Sequence, residues 1–240
     1  MNNVSPFQPV ESPVLNSNII VIGGESNADE KAMTPIDQYI IALTGKDSPS
    51  VLYISTANGD DPLKTSDFRN KYTSAGCLVM NLAFFTPPFV DMEKISSMFA
   101  MADIIYVAGG NTRAMLAIWQ EFGIISYLQK ARNKGKVLCG VSAGAICWFD
   151  FGHSDSGGAF ALIRGLGLLP GALCPHFNSE KGRKTSFVEL VCHGCIYPAY
   201  AVDDGIALHF KNGRYHKTIH NDTACSGYLV TVQSPHVTQL

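Results

Sequence analysis

The 240-residue sequence predicts an α/β fold: a mostly parallel sheet with helices on both faces, three layers deep, extended by antiparallel strands toward the C-terminus. Three observations carry this. Short, wholly apolar runs of strand length alternate with segments of helical spacing, and strands that are apolar throughout belong in a parallel sheet covered on both sides. The loops that end those runs, Gly23-Gly24, Asn58-Gly59, Gly109-Gly110-Asn111 and the turn at Ser142, fall at one edge. That is the carboxyl edge, where such sheets bind ligands. After Phe149 the chain turns rich in Gly and Pro, and later strands are joined by Asn212-Gly213, a strong hairpin signal.

Taken in order, residues 1–17 hold three prolines and little periodicity and read as an irregular N-terminal arm, which leaves 18–240 as one α/β domain. Asn18 to Ile22 reads as a buried strand. Thr34-Pro35 opens a helix, with Thr as cap and Pro in the first turn, and Gly45 closes it. Strands follow at 51–55, 77–82 and 104–107, with helices expected at about 66–74 and 93–101. Met115, Leu116, Ile118 and Trp119 have helical spacing, and after Gly123 a second helix carries Ile124, Ile125, Leu128 and Ala131. The fifth strand is Val137-Leu138-Cys139. Beyond it, Leu162-Ile163 and Leu166 to Leu169 are short apolar pieces, Thr185 to Cys192 reads as a helix, and 199–202 and 228–232 read as strands. Strands 206–210 and 215–219 flank the hairpin turn, and His236 lies in what reads as a tail.

Composition narrows the function. The chain is 46% hydrophobic and 16% charged, ample for a buried core, and its formal net charge of −2 offers no electrostatic footprint for nucleic acid. No basic cluster suggests a membrane surface, the first Lys or Arg is Lys31, and no apolar run approaches the roughly 20 residues that span a bilayer. Seven cysteines, an odd number and several of them in apolar runs, fit a reducing, cytoplasmic setting better than a disulfide framework. Cys192-His193-Gly194-Cys195 is a lone pair without the second pair that a zinc site needs, so no metal is expected.

The chemistry gathers at Lys136 to Phe149. The turn Gly140-Val141-Ser142-Ala143-Gly144 between strand and helix has the G-x-S-x-G form of a nucleophile elbow. Glycines at both ends let strand and helix approach, the helix start points free N–H groups above Ser142, and the Ala143 N–H is placed to hold an oxyanion. A serine nucleophile needs a base, and the base needs an orienting acid. Among seven histidines, His176 follows Pro175 in a loop after an apolar run, and His153 lies in a Gly/Ser loop close after the elbow. For the acid, Asp203-Asp204-Gly205 ends a strand at an edge, and Asp155 lies in the loop after the elbow. The order Ser, His, Asp argues against an ordinary α/β-hydrolase.

Four blocks in this order carry a resemblance: Ala108-Gly109-Gly110-Asn111-Thr112, Gly140 to Trp148, Pro175-His176-Phe177-Asn178-Ser179-Glu180, and Ala201 to Leu208. From Asn18 onward the chain resembles the dipeptidase E (aspartyl dipeptidase) family of serine peptidases, relatives of cyanophycinase with the class I glutamine amidotransferase-like, flavodoxin-like fold. The resemblance implies Ser142 as nucleophile, His176 as base, and the Gly110 and Ala143 N–H groups as oxyanion hole. It favours Asp204 as the third member, with Asp155 as the alternative and Asp203 adjacent. It implies a small peptide substrate, N-terminal Asp-Xaa included, no cofactor, and contacts from Asn111, Thr112, Arg113, Glu180 and Arg183; a homodimer is left open. The basic residue with which aspartyl dipeptidases read a carboxylate has no positional match here; Arg113, Arg183 and Lys184 are the nearest candidates. With Glu25 directly after Gly24, the first loop is poorer in glycine than the resemblance implies. Two other readings stand beside the peptidase: a hydrolase or acyltransferase on another small amide or ester, and a non-catalytic binder of small ligands.

Overall fold

The computed structural model describes residues 16–25, 32–87, 91–221, 223–231 and 236–240. Apart from Asn16 and Ser17, the expected N-terminal arm lies outside the described residues. Five parallel strands form the centre of the larger sheet: β1 (Asn18–Ile22), β2 (Ser50–Ile54), β3 (Leu78–Leu82), β4 (Ile104–Val107) and β5 (Val137–Val141). The antiparallel hairpin of β10 (Ile206–Lys211) and β11 (Arg214–His220) extends it, giving the order β11-β10-β1-β5-β4-β2-β3. Asn212 and Gly213 both take positive φ (54° and 77°) in the hairpin turn, as the primed turns that match strand twist require.

Because successive strand residues point to opposite faces, the apolar strands feed two cores. On one face Ile20, Ile22, Cys139 and Val141 pack against α1 (Pro35–Ala42) and α2 (Pro62–Ser74). On the other, Ile19, Val21, Leu52 and Leu138 pack against α3 (Met92–Met101), α4 (Thr112–Glu121) and α5 (Ile124–Asn133). Thr34 caps α1 in a capping box with Asp37, as the Thr-Pro signal predicts. Helix α2 starts earlier than its hydrophobic pattern indicates. Asp61 caps it by accepting from the Leu63 and Lys64 N–H groups, and Leu63 is 75% exposed, so the first turn carries no apolar face to read.

The chain after α6 (Ala143–Ile146) departs from a simple extension of one sheet. Strands β6 (Phe149–Ser154), β7 (Ala161–Arg164), β8 (Leu169–Cys174), β9 (Ala199–Val202), β12 (Gly227–Thr231) and β13 (His236–Gln239) form a second sheet, in the order β13-β12-β9-β8-β6-β7. Helix α7 (Arg183–His193) covers it through Phe187 and Val191. The stretch rich in Gly and Pro after Phe149, read as short apolar pieces, thus holds three strands, and the residues read as a tail include β13. Among the described residues no helix is long and apolar enough to cross a membrane.

Candidate active site

The elbow takes the strained form its glycines predict. Ser142 sits between β5 and α6 with φ 53° and ψ −112°, and its N–H is tied to the Ile22 carbonyl at 3.0 Å. A Cβ on Gly140 would lie 2.3 Å from the Gly144 carbonyl oxygen, and one on Gly144 would lie 2.2 Å from that of Val107. Only glycine lets helix and strand meet this closely. Ala143, first in α6, has no intrahelical acceptor for its N–H.

His176 also has positive φ, 53°, in the loop after β8. Its Nε2 lies 2.8 Å from Ser142 Oγ and its Nδ1 lies 2.6 Å from Asp204 Oδ1. An ionised carboxylate only accepts, so Nδ1 carries the proton donated to Asp204 and Nε2 is left to accept from the Ser142 hydroxyl. Burial alone would raise the Asp204 carboxyl. Hydrogen bonds from His176 and Ser179, with the charge of Arg183 and that of His176 when it is protonated, outweigh it and hold the group below its ordinary value. The Asp204 N–H donates to Asn178 Oδ1 at 3.3 Å, which ties the acid's turn to the loop of His176.

The other sequence candidates go elsewhere. His153 is on strand β6, not in a loop, and is fully buried; its Nε2 lies 3.0 Å from Ser186 Oγ and its Nδ1 3.5 Å from Cys174 Sγ. Burial, with the Arg183 charge, pushes its pKa down to about 4. Asp155 is exposed and lies 3.7 Å from Arg183 Nη2, so the carboxylate against His176 is that of Asp204. Asp203 points away from His176: its Oδ2 accepts from the Ser226 N–H and the Tyr228 hydroxyl, both at 2.9 Å.

The expected substrate contacts are mostly engaged within the protein. Asn111 caps α4 by accepting from the Ala114 N–H, and Thr112 is buried beside Ser154. A Cβ on Gly157 would lie 3.1 Å from Arg113 Nε. Arg183 is buried; its Nε and Nη2 donate to Glu180 Oε2 at 2.8 and 2.6 Å, and its Nη1 donates to the His153 carbonyl. Gly110 has φ 140°, and a Cβ there would lie 2.1 Å from the Ala57 carbonyl oxygen. Its neighbour Gly109 flanks the nucleophile, since a Cβ on Gly109 would lie 3.2 Å from Ser142 Cβ.

Gly24, which the sequence places only in one of the edge loops, shapes the site. A Cβ on Gly24 would lie 1.9 Å from Asp204 Oδ1 and 2.6 Å from His176 Nδ1. The Gly23-Gly24 loop is therefore shaped to the His176–Asp204 pair, and its signal was the glycine pair that ends the first strand. Beside the serine a cleft of about 140 Å³ opens toward α1 and α2, lined by Gly24, Gly109 and Val141 among others.

Comparisons with known proteins show the family and the fold. The family model described as Peptidase family S51 matches residues 19–218. The chain is 35% identical over 222 residues to the uncharacterized peptidase YgaJ of Bacillus subtilis, covering 92% of this chain and 95% of that one. It is 29% identical over 122 residues to Peptidase E of Haemophilus influenzae, covering 47% of this chain and 56% of that one. Among solved structures, a peptidase from an acI-B1 Actinobacterium superposes with a TM-score of 0.69 at 16% identity over 95% of both chains. A putative peptidase E protein from Listeria monocytogenes superposes with a TM-score of 0.62 at 19% identity, over 85% of this chain and 98% of that one. These two likenesses concern the fold.

Proposed function

We propose that this chain, which belongs to peptidase family S51 and is a peptidase, hydrolyses very short peptides through nucleophilic attack by Ser142. The observation that carries the reading is the position of His176 between Ser142 Oγ and Asp204 Oδ1, within hydrogen-bonding distance of both.

The geometry supports the following steps. A peptide carbonyl over Ser142 is attacked by Oγ while Nε2 of His176 takes the hydroxyl proton. Asp204, held ionised below the ordinary carboxylate range, stabilises the imidazolium that forms. The Gly110 and Ala143 N–H groups receive the oxyanion; fixed backbone donors aimed at developing charge need no reorganisation as the bond forms. The C–N bond then breaks, and His176 gives its proton to the leaving amine. Water, activated by the now neutral His176, attacks the acyl-Ser142 ester and releases the acid.

A dipeptide substrate, Asp-Xaa among those to be assayed, follows from the resemblance to the aspartyl dipeptidases. A cytoplasmic site of action fits the seven cysteines, which form no disulfide among the described residues and of which Cys77, Cys139, Cys147 and Cys174 are buried. The test is hydrolysis of a dipeptide panel by the wild type and by Ser142→Ala. The expected result is a loss on the order of 10⁴-fold or more; wild-type rates in the variant would refute the mechanism.

A further inference from the structure

We propose that the cleft beside Ser142 is a specificity subsite for an uncharged side chain flanking the scissile bond, and that it disfavours an acidic one. This rests on the peptidase reading above and names its substrate class. Position is the first argument. Gly109 lines the cleft and flanks Ser142, and Gly24 lines it and abuts His176 and Asp204, so a residue next to the reacting carbonyl reaches it. Its 140 Å³ has room for one mid-sized side chain.

The walls are the second argument. Ile22, Ile36 and Val141 present aliphatic surface, and Tyr53, Phe68 and Tyr106 form a ring wall. Phe68 stacks on Tyr53 with centroids 4.0 Å apart and tilts against Tyr106 at 4.8 Å, which holds the wall in place.

Charge is the third. Lys71 and Lys64 are the cations among the described lining residues. The Lys71 ammonium lies 2.6 Å from Asp37 Oδ2, with side chains only 15% and 5% exposed. Asp37 is itself fixed: its Oδ1 accepts from the Tyr72 hydroxyl, and its Oδ2 from the N–H and hydroxyl of Thr34. A substrate carboxylate that reached Lys71 would stand beside the charge of Asp37, and like charges so close inside a half-buried cleft repel. At the rim Lys64 is accompanied by the carboxylates Glu25 and Asp67. Of the guanidinium groups expected to read a carboxylate, Arg183 is held by Glu180, and neither it nor Arg113 lines the cleft.

The experiment measures kcat/KM of the wild type, and calorimetric binding to Ser142→Ala, for Leu-Ala, Phe-Ala, Asp-Ala, Ala-Leu, Ala-Phe and Ala-Asp. Leu is expected to exceed Asp by about tenfold or more at one of the two positions. Asp37→Asn, which frees the Lys71 ammonium, is expected to shrink that ratio. Asp equal to or better than Leu at both positions overturns the subsite. Because Asp37 also caps α1, a second variant guards against misfolding: Phe68→Ala opens the wall and is expected to shift preference from Leu toward Phe at the same position. An unchanged Leu/Phe ratio there overturns the assignment. Hydrolysis of none of the peptides would refute the Ser142 mechanism, while the binding measurements would still judge the cleft.

Discussion

At the scale of single residues, Ser142 and His176 are both non-glycine residues at φ 53°. That conformation is disfavoured for a side chain with a Cβ and persists only where the surroundings over-determine it. For Ser142 the surroundings are the Ile22 carbonyl and the two close-packed glycines; for His176 they are Ser142 and Asp204. Asp204→Asn should therefore lower kcat by on the order of 10⁴-fold, as an amide no longer stabilises the imidazolium. Asp155→Ala should leave kcat within about twofold, since Asp155 lies on the surface beside Arg183. Steady-state kinetics on one dipeptide checks both. The lowered Asp204 pKa also bears on stability. The contribution is present above the ordinary carboxylate value of 3.8 and is lost as pH falls through the lower folded value. Urea titrations should show the difference between wild type and Asp204→Asn decline as pH is taken below that value.

At the scale of elements, the loops decide the geometry. Gly24 on the β1 loop and the Asp204 turn are joined by a bridge, and the Gly205 N–H donates to the Gly24 carbonyl at 3.0 Å. A Gly24→Ala side chain would run into both His176 and Asp204. Displacing them by a fraction of an ångström should cost about 10²-fold in kcat with the far-ultraviolet circular dichroism unchanged. Asp203 holds the same turn from its other side. It is buried and bonded to Ser226, just before β12, and to Tyr228 on β12 of the second sheet. Burial and the Asp203 carboxylate push the Tyr228 hydroxyl up to about 12. Asp203→Ala leaves the buried Ser226 N–H and the part-buried Tyr228 hydroxyl without this acceptor and should cost about 1–3 kcal/mol in chemical denaturation.

At the scale of the whole molecule, two sheets meet around the serine: Ser142 leaves the larger, His176 follows β8 of the smaller, and Asp204 lies between β9 and β10, one strand of each. Unfolding either sheet separates the three. Acid does so through buried histidines. Burial and the Arg183 charge push His153 down to about 4; burial with His216, Lys217 and Lys211 does the same to His209. His209 is held neutral between the Tyr39 hydroxyl and Asn18 Oδ1. The unfolded chain binds a proton at each near pH 6.5 and the folded chain only near 4, so stability is lost as pH falls across that window. Each histidine accounts for up to about 3 kcal/mol. His209→Gln should lower stability at pH 7 yet flatten the decline between pH 6.5 and 4, measured by urea midpoints.

Strand and helix periodicity, the cap at Thr34-Pro35, the turn at Asn212-Gly213 and the elbow at Ser142 are local patterns, set by side-chain spacing and backbone sterics within a few residues. The sequence by itself therefore determined the parallel sheet, its hairpin extension and the serine at its carboxyl edge. Residue types alone left His176 beside His153 and Asp204 beside Asp155, and resemblance favoured the first of each. The division into two sheets, β13, the role of Gly24 and the partners of Ser142 were decided only by tertiary structure. His176 is 34 positions from Ser142 and 28 from Asp204. Contacts over such separations arise from packing one sheet beside the other, and no local pattern encodes them.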